Sequence, residues 1–169
     1  VEGMSKLSQF FTWNRWFPFV MGIGMALVSG NSYLFSSIAP SMKDRMNYGQ
    51  YQISSIAFIG SLGSYICFVP NPLIGFRMTC IIAAVALFSG YFLLYSSVLF
   101  YFKTNYIVVG LFYGLVGFGS SASYMTAIST NIQNFSQQSR GAIVGGMASA
   151  YGLSAAIFGL IYKYGFHRD

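Results

Sequence analysis

The charged side chains of this chain, nine Lys and Arg against three Asp and Glu in 169 residues, almost never fall inside its apolar runs. Five such runs follow one another, at about residues 17–38, 51–69, 78–102, 106–128 and 142–164. A helix needs about 20 mostly apolar residues to cross a bilayer, and each run is of that order. The first four hold no charge, and the fifth holds only Lys163, near its end. Between the runs lie Pro40 and Lys43, then Pro70, Pro72 and Arg77, then Lys103, then the stretch from Gln133 to Arg140.

Only 7% of the chain is charged, where a soluble domain carries about 25%. A short chain has too much surface for a larger core to absorb that difference. With a mean hydropathy of +0.59, the surface must face lipid. Backbone polar groups in lipid have to be satisfied within the protein, which leaves helices or closed barrels. Barrel strands are about 10 residues long and alternate in polarity. These runs are continuous and about twice that length. The expectation is an all-α, multi-pass transmembrane bundle of five helices over 16–164. It is preceded by an interfacial segment over 1–15 and followed by a short tail over 165–169. Within the first segment, Leu7, Phe10, Phe11 and Trp13 can share one side of a short headgroup-level helix.

The formal charge of +6 is not a nucleic-acid footprint. The basic residues stand singly between apolar runs, as flanking anchors do, and form no patch. Lys6, Arg15, Arg77 and Arg140 fall on one side of the membrane. Lys43, Arg45, Lys103, Lys163 and Arg168 fall on the other, so the balance assigns no orientation.

Catalysis needs a positioned acid, base or nucleophile. The single histidine is His167, and Glu2, Asp44 and Asp169 all lie outside the spans. Cys67 and Cys80 have neither the spacing nor the neighbours of a metal or redox pair. The sequence therefore predicts no catalytic residue, no metal site, no cofactor and no nucleic-acid partner. Its expected partners are the lipid bilayer and other membrane protein chains.

Within the bilayer, helices associate through small residues that let backbones approach. The fourth run carries Gly110, Gly114, Gly117 and Ser121. The fifth carries Gly141, Gly145 and Ser149 on one ridge, with Ala148, Gly152 and Ala156 beside it. These stripes predict that the fourth and fifth spans pack together through Gly110, Gly114, Gly145, Ser149 and Gly152. Polar residues also sit inside the runs: Ser29, Asn31, Ser32 and Tyr33 in the first, and Ser120, Ser121, Ser123, Tyr124 and Thr126 in the fourth. Asn31, Ser32, Tyr33 and Tyr124 are the candidate contacts for a small solute in a central cavity. Hydrogen bonds between helices are the alternative role for the same groups.

Three stretches carry a resemblance to a known family. The first is "GNSYLFSSIAPSMKDRMNYGQYQ", with its polar pair, Tyr and aromatic, then a Lys and Tyr-x-Gln. The second is "NIQNFSQQSRGAIVGGM" and the third "YGLSAAIFGLIYKY". In this order they resemble the N-terminal half of nodulin-like transporters of the major facilitator superfamily. The resemblance implies that Asn31 to Tyr33 face a central cavity. It also implies that Lys43, Asp44 and Arg45 form the outer loop after the first span. The loop "VPNPLIGFRMT" departs from the superfamily pattern: Gly75 and Arg77 remain, but the acidic residue is absent.

The superfamily places its substrate between two six-helix halves, and this chain carries five spans. The expected function is accordingly a non-catalytic accessory subunit of a larger membrane complex, derived from such a transporter. A start on Val fits a removed presequence, and so a respiratory-chain or ATP synthase assembly of the mitochondrial inner membrane. The alternative is a half, or a piece, of a small-solute secondary transporter. In a subunit, Phe88, Tyr91, Phe92 and Tyr95 would face other chains.

Overall fold

A computed structural model describes residues 16–67, 74–99 and 105–166. The expected interfacial helix within residues 1–15, and residues 167–169 of the tail, lie outside the described residues. The chain forms α1 (Trp16–Ser29), which passes through a 3-10 turn (Gly30–Leu34) into α2 (Phe35–Met46). Then follow α3 (Gln50–Ile66), α4 (Phe76–Leu99), α5 (Tyr106–Asn134) and α6 (Arg140–Phe166). There is no strand among the described residues.

Local chemistry sets the helix ends. Asn105 accepts a hydrogen bond from the Ile107 N–H (3.3 Å) and caps α5. The Gly49 N–H donates to Gln52 Oε1 (2.9 Å) at the start of α3. Gly75 precedes α4 at φ +84°, a backbone region that side chains with a Cβ rarely adopt. The loop expected around Lys43, Asp44 and Arg45 is instead the end of α2, which continues through Pro40. A proline removes one helical N–H but keeps a helical φ, so it does not stop the chain here. The stop comes at Asn47, which enters the left-handed region at φ +55° as a C-terminal cap. Lys43 and Asp44 are exposed on that last stretch.

Among the described residues, three helices are each long and apolar enough to cross a membrane: Phe76–Leu99, Tyr106–Asn134 and the Arg140–Ile161 part of α6. At 1.5 Å per residue, the 29 residues of α5 span about 43 Å, more than the hydrocarbon core. α3 has 17 residues, and the first run is divided by its 3-10 turn.

α5 is the central helix. It packs over long stretches on α3 and α4 and also against α1, while α6 rests mainly on α1 and the 3-10 turn. The pairing of residues gives the directions. Ile56 lies near Val109, Gly60 near Tyr113 and Gly117, and Cys67 near Ala122, so α3 and α5 are parallel. Gly90 meets Val116 while Ala83 meets Gly119, so α4 is antiparallel to α5. Pro18 meets Asn131 while Ser32 meets Tyr113, so α1 is antiparallel to it as well. Tyr124 meets Tyr151 while Ala127 clusters with Met147 and Ile143, which makes α6 antiparallel also. With α1 and α2 taken as one divided span, directions therefore alternate from span to span, as they must if each connection lies at one membrane face.

Glycine decides the closest crossing. A Cβ on Gly63 would collide with the backbone carbonyl of Gly114, and one on Gly117 with that of Gly60. α3 and α5 approach here to backbone contact, which replaces lipid contacts by dense protein packing. This corrects the expected pairing of the fourth and fifth spans. Gly110 and Gly114 meet Ile59 of α3, not α6. Gly145 and Gly152 have nothing within 4 Å of an added Cβ, and they and Ser149 are exposed. A small-residue stripe fixes which residues share a ridge, not which neighbour that ridge meets. α6 turns this one outward and uses Ile143, Met147 and Ser154 to pack.

Candidate functional site

α1–α2 and α4 lie on either side of α5 without packing extensively on each other, and a groove floored by α5 runs between them. At one end it holds a cavity of about 400 Å³. The first span contributes Asn31, Phe35 and Met42, α4 contributes Tyr91, Leu94, Tyr95 and Val98, and α5 contributes Tyr113.

The 3-10 turn positions the first-span side of this cavity. Two features favour the break. The Ser29 hydroxyl donates to the Met25 carbonyl (2.7 Å), and that of Ser32 to the Ser29 carbonyl (3.4 Å). Gly30, at the crossing with α6, has no room for a Cβ beside the Tyr151 carbonyl and the Ser154 hydroxyl. A 3-10 stretch within a longer helix is a recurrent mark of a hinge or of a strained sequence. Tyr113 fastens the turn to α5: its hydroxyl donates to the Ser32 carbonyl at 2.7 Å, and its ring stacks on Phe35 at 4.5 Å.

Asn31 brings an amide to this wall. Its Oδ1 is buried with no hydrogen-bond partner among the described residues. Because the Tyr113 hydroxyl is already donated to Ser32, it does not serve Asn31. Among the described residues, the cavity is thus a mostly apolar, aromatic chamber with an unsatisfied acceptor and no charged side chain in its wall. It can hold a small uncharged solute that donates a hydrogen bond.

Of the candidate solute contacts, Asn31 reaches this cavity. Ser32 takes part through its backbone carbonyl, while its hydroxyl turns back to Ser29. Tyr33 lies in the 3-10 turn, and its side chain is outside the described residues. Tyr124 is not brought to the others. It stacks on Tyr151 of α6 at 4.4 Å, about three helical turns along α5 from Tyr113. Several of the serines and threonines inside the runs bond to their own helix three or four residues back. Ser64 bonds to Gly60, Ser97 to Leu93 and Thr126 to Ala122. Sequence reasoning missed Tyr113 and Phe35 and gave Tyr91 to contacts with other chains, because an aromatic in an apolar run looks the same whether it faces lipid, a partner or a cavity.

Among the described residues no three His, Cys, Asp or Glu side chains come together as a metal site would require. Cys67 is buried and hydrogen-bonded to Ser121, and neither Cys67 nor Cys80 is in a disulfide.

Comparison with known proteins gives the family. A family model described as Nodulin-like matches residues 15–169. "Probable transporter MCH1" of Wickerhamomyces anomalus is 28% identical over 144 residues, covering 81% of this chain and 28% of that protein. "Uncharacterized membrane protein YMR155W" of Saccharomyces cerevisiae (strain ATCC 204508 / S288c) is 27% identical over 143 residues, covering 83% of this chain and 26% of that protein. The matched stretch is thus about a quarter of the length of these relatives. No solved structure matches the chain.

Proposed function

The chain belongs to the Nodulin-like family, and from that premise we propose that it forms part of the pathway of a small-solute membrane transporter. One relative carries the name of a probable transporter, which supports the reading. The observation that carries it is the buried, unpartnered Oδ1 of Asn31, set in a cavity beside the break in the first span. A buried polar group without a partner costs about 1–3 kcal/mol, and a solute that donates to it recovers much of that. The cavity favours an uncharged solute with an apolar body and a hydroxyl or amide donor. The 3-10 turn is held to α5 by the Tyr113–Ser32 bond and to α6 by the crossing at Gly30, so it joins this cavity to both helices.

Five spans cross the bilayer in this reading, the divided first run and α3 beside the three long helices. Their alternating directions support it. Further helices, on the same or another polypeptide, complete the pathway. The reading involves no catalytic step. Proteoliposome uptake of labelled small alcohols and amides, compared between the parent protein and Asn31→Ala, tests it. A substrate whose uptake falls several-fold in the variant supports the reading. A substrate transported equally well by both removes Asn31 from the pathway.

A second reading is the accessory subunit, in its most specific form a component of a mitochondrial inner-membrane complex. It rests on the outward stripe of α4. Phe88 and Phe92 stack at 6.2 Å and are 75% and 59% exposed, and Tyr95 beside them is 64% exposed. Aromatic clusters of this kind suit contact with another membrane chain. Co-purification in mild detergent tests it: a stable large particle that dissociates on Phe88→Ala supports the subunit, and a particle of unchanged size argues against it.

A further inference from the structure

The same groove holds a second cavity, of about 530 Å³, at the end of the bundle where α4 begins and α5 finishes. Most of its wall is apolar, with Met21 and Met25 from α1 and Phe76 and Cys80 from α4. Two polar groups stand out in that wall. Arg77, the second residue of α4, lines the cavity and is exposed. The sole acidic side chain among the described residues, Asp44, lies at the end of α2, at the opposite end of the bundle. The guanidinium therefore has no carboxylate near it among the described residues.

The second group is Asn131, which is 1% exposed and also lines this cavity. Its Nδ2 donates to the carbonyls of Ala127 (2.9 Å) and Pro18 (3.3 Å). Those two bonds identify the oxygen as the free end of the amide, and Oδ1 is buried with no hydrogen-bond partner among the described residues. An apolar slot thus carries an unpaired cation and an unpaired acceptor. The guanidinium presents parallel N–H donors suited to a phosphate or carboxylate. The acceptor calls for a hydroxyl or ammonium close to that anion, reached directly or through one water.

We propose that this cavity binds an amphipathic anion with a hydrogen-bond donor beside its charge, of the phosphoglycerol type. The anion pairs with Arg77, the donor serves Asn131, and the apolar portion lies along Met21, Met25 and Cys80. The site lies at the end of the bundle where α4 begins, the depth at which basic pockets between helices meet lipid headgroups. Two sources carry this chemistry, a phosphatidylglycerol headgroup in the bilayer and free glycerol 3-phosphate.

Cys80 is a built-in reporter, because it lines this cavity while Cys67 is buried elsewhere. The experiment measures N-ethylmaleimide modification of Cys80 by peptide mass spectrometry, on the full chain in phosphatidylcholine nanodiscs. Protection is then sought from phosphatidylglycerol mixed into the discs, and separately from added glycerol 3-phosphate. Several-fold slowing by the lipid alone identifies a headgroup site. Slowing by glycerol 3-phosphate identifies a site for the free anion. In either case Arg77→Gln should abolish the protection and Arg77→Lys should retain part of it. If neither probe protects Cys80, or if protection survives Arg77→Gln unchanged, the proposal is overturned.

Discussion

The Tyr113 hydroxyl and the Ser32 carbonyl lie 2.7 Å apart, in a hydrogen bond that joins residues 81 positions apart in the chain. It ties the 3-10 break of the first span to the central helix, and with the Phe35 stack it forms one corner of the cavity at Asn31.

Tyr113→Phe keeps the ring stack and removes only this bond. The Ser32 carbonyl then loses its cross-helix donor, at a cost of about 1–2 kcal/mol. The variant should unfold at lower temperature than the parent in the same detergent. An unchanged unfolding temperature would show that the bond does not hold the turn.

Gly63 lies where α3 and α5 approach to backbone contact, and even a methyl group there meets the backbone of Gly114. Gly63→Leu should force the two helices apart. The thiol of Cys67, hydrogen-bonded to Ser121, supplies the readout. In a Ser121→Cys background, oxidation should form a disulfide with Cys67, and adding Gly63→Leu should suppress it. Gly145→Leu should leave that disulfide intact, since a Cβ at Gly145 meets nothing within 4 Å. Equal effects of the two leucines would contradict this packing.

Asn131 tests the α1–α5 contact at the other end. Its amide donates to Pro18 of α1 and to Ala127 of its own helix. Asn131→Asp replaces both donors with acceptors facing carbonyls at a buried position. The penalty should reach about 3 kcal/mol or more, because a buried carboxylate would face the Pro18 and Ala127 carbonyls at hydrogen-bond distance. A sharp loss of monodisperse protein in size-exclusion chromatography is expected, and parent-like yield would count against the contact.

Much of the helix pattern was legible in the sequence, because charge-free runs near membrane length admit few other folds. The places where helices stop were less so. Pro40 and Lys43 read as an end, yet the left-handed Asn47 closes the helix, and backbone φ at an asparagine is not written in composition. Packing partners were not legible either. Gly110 and Gly145 carry the same small-residue signal, but one is buried against Ile59 and the other faces outward. Of the polar positions, Asn31 was visible as an amide inside an apolar run. Its relation to Tyr113, Tyr91 and Met42 depends on how three distant segments meet, and no local pattern encodes that.

The central claim is that the Asn31 cavity lies on a solute pathway, and uptake with Asn31→Leu in the intact protein tests it most directly. Leucine fills a similar volume and removes the acceptor, while Ser149→Leu, on an exposed stretch of α6, serves as the control. The account predicts uptake reduced about tenfold for Asn31→Leu, the equivalent of one hydrogen bond's worth of binding, with Ser149→Leu matching the parent. Uptake by Asn31→Leu equal to that of the parent, at equal protein level, would contradict it.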